Sequence, residues 1–145
     1  MKPYFFETTV IWAQIDANQH MRHSAYADIA AHARVQMLES IGLDSKAFFI
    51  HKIGPILFRE ETLYKREFHI GEKVKVSCEL SKCTPNGKKW SMRHLFYKEN
   101  GKLAAEINVD GSWIDMNERK IVALSGELLK AFNLIPRAVD FEEIY

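Results

Sequence analysis

The sequence predicts an α+β fold in which one long helix lies against an antiparallel sheet of about five strands. Two observations predict it. Tyr26, Ala30, Ala33, Met37 and Ile41 recur three or four residues apart and so line one face of a helix. After Gly54 and Pro55 the apolar period changes to two and stays there, so a run of strands follows the helix rather than alternating with further helices.

Residues 6–15, rich in Thr, Val, Ile and Trp, read as the first strand. Residues 16–23 are polar and aperiodic, which makes them a loop. The helix is expected to open with Ser24 as N-cap and to stop at Gly42, with Asp28 in its first turn favouring the helix dipole. It carries Ala25, Ala27, Ala30, Ala31 and Ala33, and such small side chains let its axis lie close to a curved sheet. Residues 44–53 make a short helical turn and a connection, and residues 56–65 the next strand. Residues 72–82 alternate, with Val74, Val76, Cys78 and Leu80 on one face and Lys73, Lys75, Ser77 and Glu79 on the other. Pro85-Asn86-Gly87 breaks the chain. Residues 89–98 alternate again through Trp90, Met92, His94 and Phe96, and Asn100-Gly101 is a hairpin signal leading to Leu103, Ala105, Ile107 and Val109. Gly111 is expected to mark a bulge before Trp113 and Ile114, and Ser125 to cap a short helix through Asn133.

At 145 residues, 47% hydrophobic and 27% charged, the chain has the size and composition of a single domain, residues 1–145, with its own core. From Met1-Lys2-Pro3-Tyr4 it runs almost at once into polar residues, and it nowhere holds an apolar run near the ~20 residues that span a bilayer. A cytoplasmic protein without a membrane partner is the expectation. Twenty basic against 19 acidic residues leave a net charge of +1, which offers no field for nucleic acid. The short basic runs Lys65-Arg66, Lys88-Lys89 and Arg119-Lys120 remain available to a local anion. Cys78 and Cys83, five apart in one strand, are expected on opposite faces as free thiols of a reducing compartment.

Several chemistries lack their residues. There is no Gly-rich phosphate loop and no Gly-x-Ser-x-Gly elbow, so a nucleotide site or a serine triad is not expected. His20 and His23 stand three apart without Cys or a paired carboxylate at ligand spacing, so neither a metal nor a cofactor is expected. His32 and His94 fall within regular elements and read as structural.

The stretch Trp12-Ala13-Gln14-Ile15-Asp16-Ala17-Asn18-Gln19-His20-Met21-Arg22-His23-Ser24-Ala25-Tyr26 carries a resemblance: a strand end, Asp-x-x-x-His, then a Tyr-bearing helix. A second block, Thr62-Leu63-Tyr64-Lys65-Arg66-Glu67-Phe68-His69-Ile70-Gly71-Glu72-Lys73-Val74, agrees with it. Together they resemble the hotdog-fold acyl-CoA thioesterases related to 4-hydroxybenzoyl-CoA thioesterase. Two positions depart from that pattern. Gln14 stands where an Asp is common, and Glu67 where a Pro is common, the latter expected at a strand edge with little effect on function.

The resemblance implies a hotdog fold and hydrolysis of an acyl-CoA thioester, with Asp16 as general base or nucleophile and the backbone of His23 polarising the carbonyl. A helix N-terminus carries unpaired donors and partial positive charge, which suits the developing oxyanion. Taken alone, without the resemblance, Asp16 reads rather as a loop carboxylate that caps a turn. Asn18, His20, Tyr26 and Tyr64 are the substrate-binding candidates, although Asn18 and His20 also suit a tight turn. Glu60 and Glu61 are further catalytic candidates, with ion pairing to Arg59 or Lys65 as the plain alternative. The family's site lies where one subunit's helix meets another's strands, which implies a homodimer or homotetramer. Two other functions stay open: enoyl-CoA hydration or dehydration on the same fold, and acyl binding without catalysis. Asp16 and His20 are four apart with no Pro between them, where the hydratase loop has five and a Pro.

Overall fold

The computed structural model describes residues 3–145, so the reading of the chain start that rests on Met1 and Lys2 lies outside the described residues. The elements follow in the order β1 (Tyr4–Thr9), α1 (His23–Ser40), α2 (Ser45–His51), β2 (Ile53–Tyr64), β3 (Lys73–Cys83), β4 (Lys89–Lys98), β5 (Leu103–Asp115), β6 (Ile121–Val122), α3 (Gly126–Phe132) and β7 (Arg137–Glu143). The main sheet runs β1-β3-β4-β5-β2, all antiparallel, with β6 added to β5 and β7 lying parallel to β3. The described residues therefore form an α+β architecture with three α-helices and seven strands, not about five. β6 has only two residues, too short for an alternation to show, and β7 presents only Ala138 and half-buried Phe141 inward.

Helix α1 packs on β3 and β1, and its buried face is Ala25, Tyr26, Ile29, Ala30, Ala33, Met37 and Leu38. Its start differs from expectation. The N-cap is Arg22, and Ser24 is the second residue of the helix, where its hydroxyl accepts from Arg22 Nε at 2.9 Å. Asp28 consequently falls in the second turn. The far end closes as expected: Gly42, at φ +94°, lets Leu43 N–H reach back to Leu38 O at 2.9 Å, capping carbonyls the helix leaves free.

The first strand also ends sooner than its composition suggests. β1 stops at Thr9, and Trp12–Gln14 form a 3₁₀ turn in which Gln14 Oε1 accepts from Ile11 N–H at 3.0 Å. The expected bulge lies across from Gly111 rather than at it, because Phe58 is the unpaired residue between Leu57 and Arg59. Gly111 serves close approach instead. A Cβ there would stand 2.5 Å from the Trp90 ring and 2.6 Å from Ile56 O.

A second bulge, at Ser81, changes the cysteine reading. It shifts the register between Leu80 and Lys82, so Cys83 turns to the same side as Cys78. Both thiols are buried and free. Burial also isolates His94 among the β3, β4 and α1 side chains. Its Nε2 accepts from Arg34 Nη1 at 2.9 Å while its Nδ1 donates to Ser77 O at 3.1 Å. A guanidinium only donates, so the neutral tautomer is set from both sides. Burial first, then the Arg34 charge, lowers its pKa to about 3. No described helix is long and apolar enough to cross a membrane.

Candidate active site

The loop between the 3₁₀ turn and α1 is a small closed hairpin. Ile15 and Met21 form an antiparallel bridge, Asp16 N–H donates to His20 O at 2.9 Å, and Gln19 takes φ +67° to turn the chain. Inside it, Asp16 Oδ1 accepts from the N–H groups of Asn18 at 2.8 Å and His20 at 3.2 Å. The carboxylate thus does hold the turn, and the same two bonds set its direction. It is half-buried, with one oxygen engaged by the loop and the group facing a cleft.

That cleft, of about 370 Å³, is lined by Asp16, His20, His23, Tyr26 and Tyr64, with Lys65, Arg66 and Glu67 along its rim. Five of the residues named from the sequence are therefore brought together. α1 points its N-terminus into this space. The N–H groups of a helix's first positions have no intrahelical acceptor, and no side chain caps them here. Tyr64 Oη donates to His23 O at 3.3 Å, tying β2 to the helix start. The Tyr26 ring, buried edge-on to Tyr64 at 5.1 Å, has its phenol pushed up to about 12, chiefly by burial and then by Tyr64 and the nearby acids, so it stays a proton donor.

Other candidates stand apart. The Asn18 side chain does not line the cleft; its backbone holds Asp16. Glu61 points to the outer sheet face, paired with Arg59 at 3.0 Å and within 3.4 Å of Asn108 Nδ2. Glu60 lies opposite Val109 on the helix side of the sheet, at the exposed edge of β2. Gln14, where the family pattern often has Asp, is turned to Ile11 and away from the cleft. A larger open groove of about 680 Å³, between β1, β3 and β4, contains none of the site candidates.

Glu67 is the main correction. It lies past the end of β2, not on a strand edge, and its Oε2 is 2.7 Å from His20 Nε2. His69 follows, its Nε2 3.8 Å from the same oxygen, its Nδ1 2.8 Å from Glu72 Oε1. Burial pushes Glu72 up, but hydrogen bonds from Lys98 and His69 outweigh it and hold the carboxyl below its usual range. Local spacing could not reveal this group, because it joins the Asp16 loop to a connection that follows the helix and β2. The one signal was the substitution itself, an ionisable residue where the pattern expects a rigid apolar one.

Residues 10–132 match the family model described as the thioesterase-like superfamily. The chain belongs to the thioesterase-like superfamily. With that membership it is a thioesterase-type enzyme, as the Asp16 and Tyr64 blocks implied. No curated protein matches the chain. Among solved structures, the superfamily member resembles a Staphylococcus aureus protein, SAV2348, solved in complex with CoA, at TM-score 0.85 and 22% identity over 91% of this chain and 82% of that one. It also resembles a 1,4-dihydroxy-2-naphthoyl-CoA thioesterase from Synechocystis, at TM-score 0.81 and 16% identity over 92% and 97%. A DHNA-CoA thioesterase from Staphylococcus aureus gives 0.82 and 20% over 92% and 90%. At these identities the likeness is one of fold.

Proposed function

We propose that the protein hydrolyses an acyl-CoA thioester, with Asp16 as general base. The observation that carries this reading is the convergence on one cleft of an oriented carboxylate and an uncapped helix N-terminus. A water held by Asp16 attacks the thioester carbonyl carbon and gives its proton to the carboxylate. The charge that develops on the carbonyl oxygen is met by the N–H groups opening α1, His23 foremost, and one such donor is worth about 3 kcal/mol in the transition state. The tetrahedral intermediate collapses by breaking the carbon–sulfur bond. CoA leaves as a thiolate, needing no strong acid, and takes the proton back through Asp16. Lys65 and Arg66 on the rim supply positive charge where the CoA phosphates approach. Solved relatives of the fold include one in complex with CoA and two named as acyl-CoA thioesterases, which supports this substrate class.

The hydratase alternative needs the His of the loop free to exchange a proton with substrate, and here Glu67 engages the His20 ring. A homodimer completes the reading. Among the described residues β2 pairs only with β5, leaving a twelve-residue edge bearing exposed Leu57, Phe58, Leu63 and Tyr64, an arrangement that a second copy would cover. Replacing Asp16 with Asn preserves shape, so kcat on an acyl-CoA panel should fall at least about 100-fold with folding unchanged. Single-turnover hydrolysis in ¹⁸O water distinguishes the base from the nucleophile: label in the Asp16 side chain would overturn general-base attack. Near wild-type activity in Asp16→Asn, with Glu60→Gln or Glu61→Gln inactive but folded, would move the chemistry to β2.

A further inference from the structure

We propose that His20, Glu67 and His69 form a binding site for a transition-metal ion of the zinc class, which clamps the Asp16 loop to the β2–β3 connection. One donor atom from each of the three lies within 4.8 Å of the others, the sole such grouping of His, Cys, Asp and Glu among the described residues. The backbone prepares it. Met21 N–H donates to Phe68 O at 2.8 Å, pinning the two segments together next to His20. Phe68 is fully buried, so its neighbours Glu67 and His69 both project outward, on the side where His20 emerges. The two imidazole rings stand edge to face, 5.3 Å between centres.

Distances match a site close to its bound form. Zinc bonds of about 2.0–2.1 Å in a tetrahedron put donors roughly 3.3 Å apart. The His20 and His69 Nε2 atoms stand 2.7 and 3.8 Å from Glu67 Oε2, either side of that value. The tautomer of His69 points the same way. Glu72 Oε1, 2.8 Å from His69 Nδ1, only accepts, so Nδ1 carries a hydrogen and Nε2, on the Glu67 side, is the nitrogen left to take a metal. A carboxylate behind a ligating imidazole is the usual outer support of a metal-bound His, and Glu72 is itself held by Lys98 Nζ at 2.6 Å. Two imidazoles with one carboxylate select zinc, cobalt, nickel or copper over magnesium and calcium. Three protein ligands leave a coordination position for water. His20 and Glu67 also line the candidate cleft, but Asp16 is not among the ligands, so zinc binding is measured whether or not the thioesterase reading holds.

The test is calorimetric titration of the untagged, metal-stripped protein with zinc chloride, with cobalt chloride as the optical probe. Expected are one zinc per chain, a tetrahedral cobalt visible spectrum, and a rise in Tm with zinc. His69→Ala and Glu67→Gln should lose the cobalt spectrum, and Glu72→Gln should weaken zinc about 10–100-fold. Circular dichroism of each variant verifies folding. Absence of saturable zinc binding to the wild type overturns the proposal, as does equal affinity in folded His69→Ala, or magnesium bound as tightly as zinc.

Discussion

Acidifying the solution should destabilise the fold through a single buried imidazole. His94 has no solvent exposure, and its folded pKa of about 3 lies far below the ordinary 6.5. Above 6.5 both folded and unfolded chains hold it neutral, and it contributes nothing to the pH dependence. As the pH falls through 6.5 the unfolded chain binds a proton that the folded chain refuses, so stability drops, and the loss continues until the folded value is reached near 3. Between pH 7 and pH 5 one such proton is worth about 2 kcal/mol, from about 1.4 kcal/mol per unit less the rounding near the ordinary value. Urea unfolding at both pH values, for wild type and His94→Gln, isolates this residue, because all other titrations cancel in the difference. Gln keeps an acceptor for Arg34 and does not titrate. The wild type should lose about 2 kcal/mol more than the variant on that acid step. Parallel losses in the two proteins would refute the reasoning, and would mean that His94 takes up its proton in the folded state.

Gly111→Ala should cost about 1–3 kcal/mol or more, since its Cβ would collide with the Trp90 ring and Ile56 O, read as a lowered urea midpoint. In His69→Ala, which lacks a ligand of the proposed ion, thioester hydrolysis should be unchanged by EDTA, since the proposed chemistry routes no step through a metal; loss of activity in that variant restored by a divalent ion would contradict it. Sedimentation at micromolar concentration should show a species of at least twice 16.8 kDa, and a monomer alone would leave the β2 edge without its proposed cover.

The helix and the central strands were legible because their side chains repeat over long spans. Tyr26, Ala30, Ala33 and Met37 all turned inward, as did Trp90, Met92, His94 and Phe96. What the periodicity concealed were local shifts. A bulge at Ser81 reverses the facing of everything after it, and no residue type at that position announces the extra step. β1 was overextended because Ile11 and Trp12 suit a strand by type yet lie exposed in a turn. In the site, Asp16, His20, His23 and Tyr26 were close in sequence and so were found together; Tyr64 was recovered through its own motif. Glu67 and His69 were not, because their relation to His20 exists only once β2 has carried the chain back to the helix start.

The parallel strand β7 lies along the same edge of β3 as β1, β1 beside residues 73–78 and β7 beside residues 80–83. β7 comes after every other strand in the sequence. During synthesis the upper half of that edge therefore waits, its donors and acceptors open, after the rest of the sheet has been made. A truncation before Arg137 would leave a chain with a nearly complete core and a newly open border on β3 in addition to the free edge of β2, the state in which two such chains join edge to edge. Completion of the protein is in this sense a kinetic event, closed by the last strand to emerge.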